Sequence, residues 1–221
     1  MGTKQIRLET NLLGANNMMA VKNRRIFKEA GLLVINLMSS PGSGKTTLLE
    51  KTIEQIQGYI NMGVIEGDLY TDQDALRIEN KGVKVVQINT EGTCHLDAGM
   101  VEKAWRDLGE ENLQLLFIEN VGNLVCPAEF DLGEDFKAVI LSTTEGNDKV
   151  LKYPLVFQKA RVVVLNKIDL LPYVDFDLDA FERDIAAVNP DTVVFKLSGR
   201  TGEGIEEWTQ WLTKEVGRVN L

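Results

Sequence analysis

With 221 residues, 44% hydrophobic and 26% charged, the chain can build one large apolar core and has the profile of a soluble globular protein. A net charge of −9 excludes nucleic acid as a partner, since phosphate contacts need clustered Lys and Arg; two cysteines are too few for a disulfide scaffold and suggest a reducing, cytoplasmic setting. No apolar run nears the roughly 18 residues of a spanning helix, and the start has neither a signal-like apolar segment nor a myristoylation pattern, so no membrane is expected.

In chain order, residues 5–30 predict a helix. Ile6, Leu8, Leu12, Leu13, Met18, Met19, Val21, Ile26 and Phe27 recur near helical spacing, Gly14 is a candidate break and Gly31 a terminator. "LLVINLMSS" (32–40) is a short apolar run that reads as a buried strand, and "KTTLLEKTIEQIQ" as the helix after it. The alternation continues. A strand ends at Asp68, "DALRIENKG" is helical, "VKVVQINT" is a strand and "LDAGMVEKAWRDLG" a helix. "LQLLFIEN", "KAVILSTTEG" and "ARVVVLNKID" are strands, "DLDAFERDIAAVN" is a helix, "TVVFKLS" the last strand and "GIEEWTQWLTKEV" the last helix. Seven apolar strands separated mostly by helices predict an α/β fold, a mostly parallel seven-stranded sheet with helices on both faces. Residues 1–30 would be a helical extension and 31–221 the domain itself. Ligands in such folds bind beyond the carboxyl ends of the strands.

"SSPGSGKTT" (39–47) lies at such an end. It fits the phosphate-loop pattern at Gly44, Lys45 and Thr46, with Ser39 where a first Gly is usual. Pro41, Gly42, Ser43, Gly44 and Thr47 complete the loop, whose N–H groups and following helix N-terminus would receive phosphates. Lys45 would reach the β- and γ-phosphates and the Thr46 hydroxyl would bind Mg²⁺. "VVVLNKIDL" adds Asn166, Lys167 and Asp169 after another strand. The Asp169 carboxylate matches the two donors on guanine's edge that adenine lacks, Asn166 would meet the other edge of the base, and the Lys167 stem would cover the ring. Ser198 and Gly199, after the last strand, are expected to back the base with main-chain N–H groups. The cofactors implied are GTP or GDP with Mg²⁺. The rival classes are a plain switch GTPase whose Cys and His are structural and a phosphoryl-transferring P-loop kinase, and Asp169 argues against the kinase.

Asp68 and Glu119 close strands where an acid could hold Mg²⁺, directly or through water. Gly122, three residues past Glu119, could sense the γ-phosphate through its N–H. No glutamine follows it, so Asp68 or Asp74 must orient the hydrolytic water, or hydrolysis is slow, or a partner completes the site.

The only histidine, His95, follows Cys94 in "EGTCHLDAGM", and Cys126 lies in "ENVGNLVCPAEF". A free cysteine is often a small buried hydrophobe, but these three residues fall in polar or Gly-rich loops at the nucleotide edge. Two thiolates and an imidazole suit Ni²⁺ or Zn²⁺. Three ligands are one short of a closed site, so a water completes the set or two copies pool ligands across a two-fold axis.

Together "SSPGSGKTT", "EGTCHLDA", "FIENVGNLVCPAEFDLG", "STTEGNDK" and "LNKIDL" resemble the HypB family of hydrogenase nickel-incorporation GTPases, in the SIMIBI class of P-loop proteins, from about residue 15 onward. The resemblance implies a GTPase that dimerises with GTP and carries a Cys–His–Cys metal site between subunits, here Cys94, His95 and Cys126. It also implies work with a HypA-like nickel-binding partner on the hydrogenase large-subunit precursor. This chain begins "MGTKQIRLET", without the N-terminal cysteine cluster or His-rich store of some members. The urease counterpart UreG shares the architecture, but its Cys-x-His motif differs from the adjacent Cys94–His95 pair.

Overall fold

The computed structural model describes residues 8–69, 72–109 and 112–219. The predicted helical residue Ile6 lies outside them. The strands are β1 (Leu33–Ser39), β2 (Met62–Asp68), β3 (Lys84–Asn89), β4 (Leu115–Glu119), β5 (Phe136–Ser142), β6 (Ala160–Asn166) and β7 (Val193–Lys196). They form one sheet in the order β3-β2-β4-β1-β5-β6-β7, and every pairing is parallel. All carboxyl ends therefore lie on one edge, as the apolar alternation predicts. The helices are α1 (Leu8–Glu29), α2 (Lys45–Ile56), α3 (Gln73–Glu79), α4 (Ala98–Leu108), α5 (Cys126–Glu129), α6 (Lys149–Lys152), α7 (Pro154–Lys159), α8 (Leu178–Val188) and α9 (Ile205–Val219).

On one face the apolar sides of α2, α3 and α9 meet the sheet in a core that includes Leu48, Ile53, Ile78, Phe117, Trp208 and Leu212. The other face carries two clusters. Val156, Phe157, Phe181 and Ile185 fill the one under α7 and α8; Phe27, Val101, Trp105 and Leu132 fill the one under α1 and α4.

Three local differences from the sequence pattern have physical causes. Gly14 does not break α1, which runs unbroken to a Schellman end: Leu32 N–H bonds Phe27 O at 3.0 Å, Gly31 N–H bonds Lys28 O at 3.1 Å, and Gly31 has φ +66°. β5 stops at Ser142 rather than continuing to Gly146, because Ser142 and Glu145 form a capping box that turns the chain into a 3₁₀ segment. The short helices α5, α6 and α7 have too few turns to leave a periodic signal, and the sequence reading passes over them.

The apolar stripe predicted for α1 is only partly the buried one. Leu12, Met18 and Val21 are exposed, whereas Ala20, Phe27 and two asparagines, Asn16 and Asn23, are buried. Asn16 accepts from Ala98 N–H at 2.8 Å and donates to Asp131 O at 2.8 Å. Asn23 donates to Ala98 O at 2.8 Å and to Leu132 O at 3.0 Å. Gly133 lets α1 approach; a Cβ there would lie 2.6 Å from the Asn23 Cβ. The helix is thus fastened to the start of α4 and to the β4–β5 connection.

Candidate functional site

The phosphate loop runs from buried, extended Ser39 into the N-terminus of α2. Only Gly42 (φ +75°) and Gly44 (φ +98°) take left-handed angles, so the serine at the usual first-glycine position needs no special backbone. Gly44 is also demanded by space, since a Cβ would lie 2.5 Å from Asn166 Nδ2. The Lys45 ammonium donates to Ser39 Oγ at 2.9 Å and Lys167 Nζ to Gly42 O at 2.7 Å. Two cations thus border the loop. Gly42, Lys45, Thr46, Thr47, Asp74, Arg77 and Lys167 line a cavity of about 340 Å³, where three cationic side chains and a helix N-terminus can receive phosphate.

Beside it Gly44, Thr47, Asn166, Lys167, Asp169, Leu170, Gly199 and Arg200 enclose a second cavity of about 170 Å³. Asp169 lines it, and its Oδ1 accepts from Ser198 Oγ at 2.6 Å. Gly199 N–H points to Asn166 Oδ1 at 3.0 Å and Ser198 N–H to Glu203 O at 2.9 Å, so both proposed base-backing donors are engaged within the fold. Ser198 instead orients the Asp169 carboxylate through its hydroxyl. Asn166, 2% exposed, acts as a tie: it donates to Ser43 O at 2.9 Å and accepts from Lys167 N at 2.7 Å as well as from Gly199. It joins the phosphate loop to the base-side loops, with its amide already engaged by main chain.

Thr46 Oγ donates to Glu119 Oε1 at 2.9 Å. Glu119 is buried, and burial pushes its carboxyl upward. On the neighbouring strand Glu66 stands opposite Glu119 in register. Burial first, then the charges of Glu119, Asp68 and Asp74, push it up to about 8. Of six buried side-chain polar atoms without a partner among the described residues, three lie in this quarter: Ser43 Oγ, Glu66 Oε2 and Glu119 Oε2. Such orphans are costly unless a ligand or water meets them, and a hydrated Mg²⁺ with phosphate would suit this oxygen-rich corner. Asp68 ends β2 two residues past Glu66. Asp74 is ion-paired with Arg77 at 2.9 Å, and Arg77 also binds Glu50 at 2.6 Å and Thr47 at 3.2 Å. Arg77 and Glu66 were not singled out from sequence. An acid inside the apolar run "GVIEGD" was the available signal for Glu66.

Gly122 leans on the phosphate loop, since a Cβ there would come within 3.1 Å of the Pro41 Cα. Four residues on, Cys126 opens α5. Its Sγ is 2.9 Å from that of Cys94, which is 3.8 Å from His95 Nδ1. The three candidate ligand atoms lie within 4.8 Å of one another and are half-buried. This is the reach of one transition-metal ion, and the donor set is soft, unlike the oxygen corner. Burial holds the His95 imidazole below its ordinary pKa, favouring the neutral, ligating form. Its ring packs on Phe130, centroids 3.8 Å apart. The neighbouring Cys94 thiol, then burial, push Cys126 upward.

Two asparagines tie this cluster to the end of β4. Asn120 accepts from Leu96 N–H at 3.1 Å and donates to Asn36 Oδ1 at 3.2 Å; Asn123 donates to Cys94 O at 3.3 Å. Below them the buried Lys137 ammonium pairs with Glu134 at 2.5 Å and donates to Phe130 O at 2.7 Å.

Residues 33–196 match the CobW/HypB/UreG nucleotide-binding domain family. The chain is 52% identical over 215 residues to the hydrogenase maturation factor HypB of Azotobacter vinelandii, covering 97% of this chain and 71% of that one. With its counterpart from Escherichia coli K12 it shares 47% identity over 95% of this chain and 72% of the relative. The crystal structure of HypB from Helicobacter pylori in complex with nickel superposes with a TM-score of 0.87 at 38% identity, over 92% of this chain and 96% of that one. The signal recognition particle 54 kDa protein of Aeropyrum pernix, in complex with GDP, shares the fold at TM-score 0.58 and 14% identity, over 86% of this chain and 47% of that one. The chain belongs to the HypB family.

Proposed function

We propose that the protein is a slow GTPase that dimerises with GTP and couples that cycle to nickel delivery in [NiFe]-hydrogenase maturation. Lys45 and the phosphate-loop amides bind the phosphates, and Asp169, oriented by Ser198, selects guanine. Thr46, Asp68 and Glu119 would hold Mg²⁺, which supplies charge neutralisation at the phosphates when bound. Asp68 and Asp74 are the two water-orienting candidates, and Asp74 is held by its ion pair with Arg77. Cys94, His95 and Cys126 take Ni²⁺, or Zn²⁺, as cargo or regulator, and a second copy of the chain completes the coordination. A relative of known structure is crystallised with nickel. The helical extension, residues 1–30 ahead of the nucleotide unit (31–221), offers a docking face for a HypA-like partner. The acceptor is the hydrogenase large-subunit precursor, and the setting is the reducing cytoplasm.

One observation carries the coupling. The segment from Glu119 to Cys126 begins at the Thr46 hydroxyl, touches Pro41 through Gly122, and ends on a thiol of the soft-metal cluster. A γ-phosphate that moves Gly122 must therefore act on a metal ligand. The test is sizing by light scattering with GDP and with a non-hydrolysable GTP analogue, metal present and absent, alongside equilibrium dialysis of Ni²⁺ and Zn²⁺. A dimer and a changed metal affinity in the triphosphate state alone are expected. Equal association and equal metal affinity in both states would overturn the coupling.

A further inference from the structure

Glu66 has no part in the scheme above, yet its position calls for one. It precedes Asp68 by two residues in β2, so both side chains leave the sheet on the same face. In the parallel ladder its partner is Glu119, and each is 3% exposed. A carboxylate buried among apolar strands is costly unless donors meet it. Val64 and Phe117, one pair back on the same face of the two strands, are fully buried, and an apolar residue would pack at position 66 without that cost. Glu119 has one oxygen on the Thr46 hydroxyl; its Oε2 and the Oε2 of Glu66 are buried with no partner. Two unpartnered acceptors on adjacent strands, behind the phosphate-loop threonine and within the field of Lys45, describe a receptor for water hydrogens. A bound Mg²⁺ keeps several of its waters, and those waters are strong donors.

We infer that Glu66 is a further residue of the magnesium–nucleotide site, accepting a hydrogen bond from a cation-bound water beside Glu119. This rests on the nucleotide reading and is independent of the soft-metal coupling. Glu66→Gln keeps the volume and replaces the ionisable carboxyl with a neutral amide that cannot become a carboxylate. In full-length protein, a fluorescent GDP analogue is titrated at graded Mg²⁺ and in EDTA. The variant is expected to need about tenfold more Mg²⁺ for half of the magnesium-dependent gain in affinity, the scale of losing an outer-shell partner, with affinity in EDTA unchanged. An unshifted Mg²⁺ requirement overturns the inference, and so does an equal loss with and without Mg²⁺, which marks a purely structural role. Should E66Q fail to fold, Glu66→Asp, which withdraws the carboxylate by one methylene, is expected to show a smaller shift of the same sign; no shift overturns the inference again. A wild type whose nucleotide affinity ignores Mg²⁺ strikes instead at the nucleotide reading beneath it.

Discussion

The phosphate loop and the cysteine–histidine cluster hang from the same edge of the sheet but are built in opposite ways. The loop is made of backbone: Gly42 and Gly44 set its angles, and Asn166, Lys45 and Lys167 pin it from three directions. The cluster is made of side chains on short segments, half-buried, and kept in place by Asn120 and Asn123 and by the ring of Phe130. A rigid main-chain cradle suits a ligand that defines the fold's central site. Ligands carried on loops suit an ion that must be taken up and released, because such loops belong to the low-stability end of a domain.

That contrast can be broken most severely from the nucleotide side. Lys45→Ala is expected to cut GTP hydrolysis by about 10²–10³, the scale of removing one preorganised charge-stabilising donor, while Zn²⁺ affinity of the nucleotide-free protein stays as in wild type. Steady-state phosphate release and a chromophoric chelator measure the two. In the reverse direction, Cys126→Ala is expected to lower metal affinity by more than the roughly 10–100-fold of an outer-shell change and to leave GDP affinity alone. If the two sites were one rigid unit, each variant would damage both.

Proton competition separates the two regions further. The Cys126 thiol, held above its ordinary value, must lose a proton to bind metal, whereas His95, held below its own, is already neutral at pH 7. Raising the pH removes the competitor at the thiol. Zn²⁺ affinity is therefore expected to climb by at least about tenfold per pH unit between roughly pH 6 and 8, one proton released per ion. A flat profile would mean that the thiols bind as preformed thiolates. Chelator competition at several pH values reads this directly.

The smallest effects test the ties between the regions. Asn120→Ala removes the acceptor of Leu96 N–H and is expected to shrink the difference in metal affinity between GDP and GTP-analogue states, within the roughly 5–150-fold span of ordinary couplings. Asn23→Ala strips two bonds to buried carbonyls that hold α1 against the cluster's flanks. It should cost about 1–3 kcal/mol and lower Tm by several degrees in calorimetry, with GTP hydrolysis retained.

How legible the sequence was follows the same division. The parallel α/β sheet was readable, because strands buried on both faces must be apolar throughout and the helices between them keep a 3.6-residue period. The phosphate loop was readable because the glycines a nucleotide requires are demanded locally. The cluster showed up through composition, the only histidine and both thiols falling at strand ends. Other features were beyond a one-dimensional reading. That the Asn166 amide sits between Ser43 and Gly199, and that Gly199 N–H faces Asn166, is visible only in the folded chain. Asn16 and Asn23 interrupt an apolar stripe, yet they are the residues that α1 buries.

Residue order by itself determined this protein's strands, its left-handed glycine positions and which side chains could ligate what, since each depends on local sterics or on the chemistry of one residue type. Only the tertiary structure decided which donors and acceptors are engaged, that Glu66 stands beside Glu119, and that Cys94 and Cys126, 32 positions apart, meet at 2.9 Å. Those facts arise from strand order and from the close approach of segments far apart in the chain, and no local pattern encodes such a distance.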